Sequence, residues 1–249
     1  MWTRSQLKVN AKNKLRLFYW NAFTVSVIHA LVGGSGSIGT GFTGNVNANS
    51  LSALEDPSFE YTYEMSGILM AVMAMAVILV LILSLAFAIF VANPMFVGVK
   101  RFYLLSGMQP TSISEIMFAF RKEHYLNVVK TMFLVRLYTV LWTLLFVIPG
   151  IIKSYEYCMI PYLLAEDPTL NSREAFKLSQ EMTSGDKGAI FVLELSFLGW
   201  SMLAVLLCGI GVFFLNPYIE ATFTELFLAL KAKVYYRRQQ EMPPVDMVM

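Results

Sequence analysis

The sequence predicts an all-α fold: a polytopic membrane bundle of about six transmembrane helices with amphipathic helices at the membrane surface. Three observations carry this. First, 57% of the 249 residues are hydrophobic and only 14% are charged, about half of the roughly 25% usual in globular proteins. A soluble fold of this size has too little interior to hide that much apolar side chain. Second, apolar runs near the roughly 20 residues needed to span hydrocarbon recur along the chain. Third, Lys and Arg concentrate in alternate connections, as in multi-pass membrane proteins. The net charge of +2 offers no general attraction to nucleic acid.

The first sixteen residues hold Arg4, Lys8, Lys12, Lys14 and Arg16 and no acid, and "LFYWNAFTVSVIHALV" follows. A basic head before a short apolar run is also the layout of a signal peptide. The long amphipathic head, with no convincing cleavage site after the run, points instead to a retained first span near 17–32. Residues 33–65 read as an extracytoplasmic loop, Gly-rich and then acidic. The loop contains Gly34-x-Gly36-x-x-Gly39. That pattern binds dinucleotides only between a strand and a helix, so here it reads as a linker.

The second span, 66–92, is uncharged throughout and ends at Asn93-Pro94. A basic amphipathic stretch follows. Ser112-x-x-Glu115 then matches a capping box opening a helix with Ile113, Ile116, Met117 and Phe120 on one face, expected to lie on the membrane surface. The third span, 129–148, carries Arg136. An outer hairpin at Pro149-Gly150 leads into the fourth, 151–165, which carries Lys153 and Glu156, kinks at Pro161 and stops at Pro168.

A polar segment comes next, with a cap at Asn171 or Ser172, a short amphipathic helix and a stop at Gly185. The fifth span, 189–212, carries Glu194, and its Gly199, Ser201, Ala204 and Gly209 permit close helix approach. Asn216-Pro217 breaks the chain before the sixth, 218–232, with Glu220 and Glu225. Residues 1–238 thus form one membrane domain, and 239–249 a disordered cytoplasmic tail. Lys100, Arg101, Arg121, Lys122, Lys130, Arg173, Lys177, Lys187 and both basic ends fall on one side, which places the N- and C-termini in the cytoplasm.

The stretch "FVIPGIIKSYEYCMIPYLLAEDPTLNSREAFKLSQEMTSGDKGAIFVLELSFLGW" resembles a family of small bacterial membrane proteins, domain-of-unknown-function family 975. The resemblance lies in Pro149, Gly150, Ile151, Ile152 and Lys153, the Asp167-Pro168 turn, the helix from Ser172 through Arg173, Glu174 and Ala175 to Ser179, Gly188, and Gly199-Trp200. "WTRSQLKVNAKNKLR" and "NPYIEATFTELF" look like the same family. The pattern is also similar to the membrane domain attached to some bacterial glycerophosphodiester phosphodiesterases. This resemblance implies a bacterial cytoplasmic membrane, multi-pass, and brings no catalytic residues with it.

Cys158 and Cys208 lie in apolar runs, and His29 and His124 stand alone, so no cofactor or metal site is expected. Ser154 beside Lys153 is the best Ser/Lys candidate for a nucleophile and its base, yet neighbouring helical residues point about 100° apart. No enzyme activity is therefore expected. The candidate polar network is Arg136, Lys153, Glu156, Glu194, Glu220 and Glu225. A charge at mid-bilayer costs about 2.5–3.5 kcal/mol on insertion scales, so each needs a partner or water. Depth along the spans predicts an outer group, Lys153 with Glu156 or Glu220, and an inner group, Arg136 with Glu194 or Glu225. The expected role is non-enzymatic, through the lipid bilayer, a membrane protein partner or an amphiphilic ligand, with no nucleic acid. The alternative is a small transporter or channel lined by Arg136 and the three glutamates of the last two spans.

Overall fold

A computed structural model describes residues 2–31, 63–206 and 210–241. Among them every regular element is helical: α1 (Arg4–Leu31), α2 (Tyr63–Phe87), a π-helical turn (Ala88–Ala92), α3 (Asn93–Ser106), a 3₁₀ helix (Ile113–Phe120), α4 (Lys122–Leu145), α5 (Val147–Tyr157), α6 (Ile160–Glu166), α7 (Ser172–Thr183), α8 (Lys187–Leu206) and α9 (Ile210–Glu241). Three stretches are long and apolar enough to cross a membrane: Leu69–Ser106, Lys122–Leu145 and Lys187–Val205. The expected loop 33–65 lies outside the described residues except where α2 begins, as do residues 242–249 of the expected tail.

The two halves of α1 form one helix bent at Phe18, whose φ of −135° and ψ of 23° are non-helical. Leu7, Ala11, Leu15, Ala22 and Val25 are buried, a stripe at helical spacing. Arg4, Lys12 and Arg16 occupy the exposed face. The helix packs along α9, and at the bend Phe18 meets the edges of Phe102 and Tyr103.

Asn93-Pro94 does not end the second apolar helix. The chain passes through a π-helical turn into α3, so that Leu69–Ser106 is continuous. Pro94 has no amide to give to the carbonyl of Phe90, four residues back. The Tyr125 hydroxyl donates to that carbonyl instead, at 2.8 Å. A side chain from α4 thus replaces the missing helical bond, as apolar helices require when they contain proline. The two parts of this rod have opposite fates. The apolar side chains of α2 are exposed from Leu69 to Leu85, whereas α3 is buried on all sides from Asn93 to Lys100. An all-round apolar surface of that size is compatible with a helix that crosses a membrane.

The 3₁₀ helix replaces the expected surface helix. Ser112 does cap it, accepting from the Ser114 amide, but Glu115 turns away to Arg101 at 3.1 Å. Ile116 packs down onto α3 while Met117 stays exposed, so only part of the expected membrane face is free. Contact with α3 is close because residue 98 is glycine: a Cβ there would lie 1.8 Å from the Ile116 carbonyl oxygen.

The hairpin after α4 turns earlier than Pro149-Gly150. Phe146 is extended (φ −153°, ψ 133°) and forms the turn, and Pro149 lies in the first turn of α5. Gly150 serves the crossing instead, since a Cβ would lie 2.4 Å from Thr143 Oγ1. The expected fourth span is broken into α5 and α6 at Cys158-Met159, with Pro161 in the opening turn of α6 rather than at a kink. α6 ends one residue before Asp167-Pro168, where the Thr169 amide donates to Asp167 Oδ1. Asn171 caps α7, and Gly185, at φ +83°, provides the left-handed turn after it.

Asn216-Pro217 also fails to break the chain, because α9 runs through Pro217 to Glu241. Tertiary packing offsets the lost bond: Tyr218 sets its ring edge-on to Phe197, and Ile219 is buried. α8 ends at Leu206 and α9 begins at Ile210, while Gly209 of the expected fifth span lies outside the described residues. Gly211 meets Ala204, where a Cβ would lie 2.8 Å from the Ala204 Cα. Of the other small residues of α8, Ser201 is buried and Gly199 faces open space.

These contacts rank the glycines. Gly98→Ala is expected to lower the unfolding midpoint in detergent, an overpacking loss of about 1–3 kcal/mol or more. Gly199→Ala, with no neighbour to strike, should leave the midpoint unchanged or raise it.

Candidate functional site

α3, the central helix, carries a lysine that no solvent reaches. Lys100 Nζ lies 2.5 Å from Glu220 Oε2 on α9, with side-chain exposures of only 3% and 5%. The ammonium also sits 4.4 Å from the Phe96 ring centroid and 4.9 Å from that of Tyr162 on α6. Tyr162 in turn stacks on Phe227 of α9. One cation thereby joins α3, α6 and α9 through one carboxylate and two ring faces, the contacts that favour a desolvated ammonium.

Glu225, one and a half turns further along α9, accepts from Lys14 of α1 at 2.7 Å. Glu156 holds two lysines, Lys153 at 2.6 Å and Lys187 at 2.5 Å, the latter from the start of α8. Its backbone carbonyl also accepts the Ser179 hydroxyl of α7 at 2.6 Å. Glu194 accepts the Tyr155 hydroxyl. Arg136 borders a cavity of about 400 Å³ between α4 and the rod, with Phe96, Phe133 and Val140 among its walls.

These partners redraw the expected network. The Lys153–Glu156 pair forms. Glu220, expected with Lys153 toward the outer face, is bound to Lys100, and Glu225 to Lys14. Both lysines belong to the basic clusters assigned to the cytoplasmic side, as does Lys187 beside Glu156. Glu156 and Glu220, expected on the outer side, thus pair with lysines expected on the cytoplasmic side, whereas Glu225, expected in the inner group, meets a lysine of the same side. α5 and α6 are two short helices, and Glu220 lies in the packed interior of α9, so counting residues along straight spans misplaces both. Lys14, Lys100, Lys187 and Tyr155 were missed as partners. The only signal for Lys100 was its apolar setting in "FVGVKRF".

A second set of pairs ties α9 to α6, α7 and the turn after it: Lys231–Glu166, Lys233–Asp186 and Arg238–Glu181. The Arg238 guanidinium holds the Glu181 carboxyl below its ordinary value. Ser154 donates to the Ile151 carbonyl at 2.7 Å while Lys153 turns to Glu156, so this serine and lysine do not form a dyad. Among the described residues no group of three or more His, Cys, Asp or Glu has a geometry that could hold a metal ion.

The arrangement defines an all-helical protein with three helices apolar enough to cross a membrane and with charged side chains tied in pairs inside it. Residues 104–234, just over half of the chain, match the family model "Protein of unknown function (DUF975)". The chain belongs to that family. No curated protein and no solved structure matches the chain.

The double hold on Glu156 yields a graded expectation. Glu156→Gln removes two charge-assisted bonds and leaves two lysines facing each other, and should cost about 1.5–3 kcal/mol. Lys153→Gln should cost clearly less, because Lys187 still satisfies the carboxylate. Chemical unfolding in mixed micelles measures both.

Proposed function

We propose that this is a multi-pass protein of a bacterial cytoplasmic membrane, with both termini in the cytoplasm, that acts without catalysis through lipid or protein partners in an accessory, immunity or envelope role. The observation that supports this best is the dispersal of the acids. Glu156, Glu220 and Glu225 each have their own cation on a different element, and Glu194 has a phenol. A transport route needs polar groups that converge on water, whereas these are consumed in joining helices. Exposed apolar surface on α2, α4, α5 and α8 then provides the contact with lipid or with another membrane protein.

One observation favours the alternative of a small transporter or a site for an amphiphilic ligand. The cavity at Arg136 combines a guanidinium with apolar walls, the chemistry that suits an anionic head on a hydrocarbon tail.

Proteoliposomes decide between the two. Vesicles containing the protein should hold an imposed potassium or proton gradient as long as empty vesicles, and native mass spectrometry should show phospholipid retained. A gradient that collapses with the protein, and is restored by Arg136→Gln, would replace the first reading with the second.

A further inference from the structure

We propose that the α4–α5 hairpin does not cross the membrane but enters only its cytoplasmic leaflet, with its tip among the acyl chains at mid-bilayer. This rests on the membrane reading above. It changes the number of crossings and leaves the side of each terminus as it was.

The tip is built for hydrocarbon and not for an aqueous loop. From Val140 to Ile152 the chain has no charge. Thr143, its one hydroxyl, donates to the Thr139 carbonyl at 2.8 Å. Leu144 and Ile148 are 83% and 74% exposed, and Leu145, Phe146 and Val147 are exposed between them. The turn is a single residue whose own amide donates to the Trp142 carbonyl, and whose carbonyl accepts from the Gly150 amide at 3.1 Å. Backbone groups in a lipid interior must be satisfied within the chain, and the amide and carbonyl of Phe146, the one residue outside both helices, are. A connection that surfaced in water would more often carry polar turn residues.

α7 sets the depth. Its Phe176 ring lies 5.5 Å from Tyr138 on one leg of the hairpin and 4.8 Å from Tyr157 on the other. Away from its buried face of Ser172, Ala175 and Ser179, α7 exposes Arg173, Glu174 and Lys177, which require water or lipid headgroups. The polar boundary therefore reaches the level of Tyr138 and Tyr157, and Lys187 meets Glu156 at that level. From there to Phe146 is eight residues of α4 or eleven of α5, about 12–16 Å at 1.5 Å per residue. Hydrocarbon is about 30 Å thick, so both legs end near its middle. Tyr138, Trp142 and Tyr157 mark the entry, where aromatic residues belong. Arg173 and Lys177 place that entry on the basic, cytoplasmic side.

Single-cysteine variants test this, with Cys158→Ala and Cys208→Ala as background. Leu144→Cys and Ile148→Cys change exposed side chains, so they leave the bundle intact. Nitroxides on them, in phosphatidylcholine and phosphatidylglycerol vesicles, should collide freely with oxygen and poorly with a nickel chelate. Leu144 is six residues from Tyr138 and Ile148 nine from Tyr157, so their depth should be about 9–14 Å inside the hydrocarbon boundary, from the same helix rise. In cells, neither cysteine should react with a membrane-impermeant maleimide from outside, nor, in inverted vesicles, from the cytoplasmic face. Labelling of Ile148→Cys from outside, with a nitroxide depth at the outer headgroups, would establish a full crossing and overturn the proposal. Labelling from the cytoplasmic face would put the tip in water and overturn it equally. Ser50→Cys in the same cells should label from outside. Failure of that control alone would strike the assumed sidedness and not the hairpin depth.

Discussion

The pair between Lys100 and Glu220 is the constraint around which the rest of this molecule is arranged. Burying an ammonium and a carboxylate costs several kcal/mol each, and their attraction offsets that only when the remaining contacts are good. Here they are supplied from three helices: the acid from α9, one ring from α3 itself and another from α6. Moving any of the three would leave a charge without its partner in an apolar interior. The pair therefore specifies which helices meet and at what height, a task that interchangeable leucines and phenylalanines perform less strictly.

From that point outward the molecule separates into two surfaces. The packed helices bury apolar faces and tie their charges to one another: Lys14 to Glu225, Glu156 to two lysines, and the end of α9 to Glu166, Asp186 and Glu181. The remaining apolar surface, on α2, on the α4–α5 tip and along α8, is exposed among the described residues. Paired charges gather in the part with α3 and α7, and unpaired hydrocarbon in the parts that project from it. This separation is what supports the proposed contact with lipid or a partner over conduction through the centre. It also explains why apolar stretches of similar composition take different places, since the charges at their ends decide which are drawn into the bundle.

How much of this was legible in the sequence depended on range. The apolar rod of α2 was visible because the uncharged run from Ser66 to Ala92 exceeds the roughly 20 residues that span hydrocarbon. The cap at Asn171 and the turn at Gly185 were visible because each is decided by its own few residues. The prolines were misread for the opposite reason. Whether Pro94 ends a helix depends on whether something else bonds the Phe90 carbonyl, and that group is Tyr125, thirty-five residues away. Gly150 looked like half of a turn, but its missing side chain serves the crossing with Thr143. For the candidate site, the buried acids were legible as residues needing partners. Only the local partner was found, Lys153 for Glu156. Lys100 and Glu220 are separated by 120 positions, and no local pattern announces such a pair.

The most direct measurement is a double-mutant cycle on Lys100 and Glu220, using Lys100→Met and Glu220→Leu and unfolding free energies in mixed micelles. Either single change leaves one charge buried alone, and each should cost about 3–5 kcal/mol. The double variant should recover most of that loss, since it removes both charges and keeps the volume. If the two losses simply add, or if both single variants are as stable as the parent, this pair does not organise the bundle.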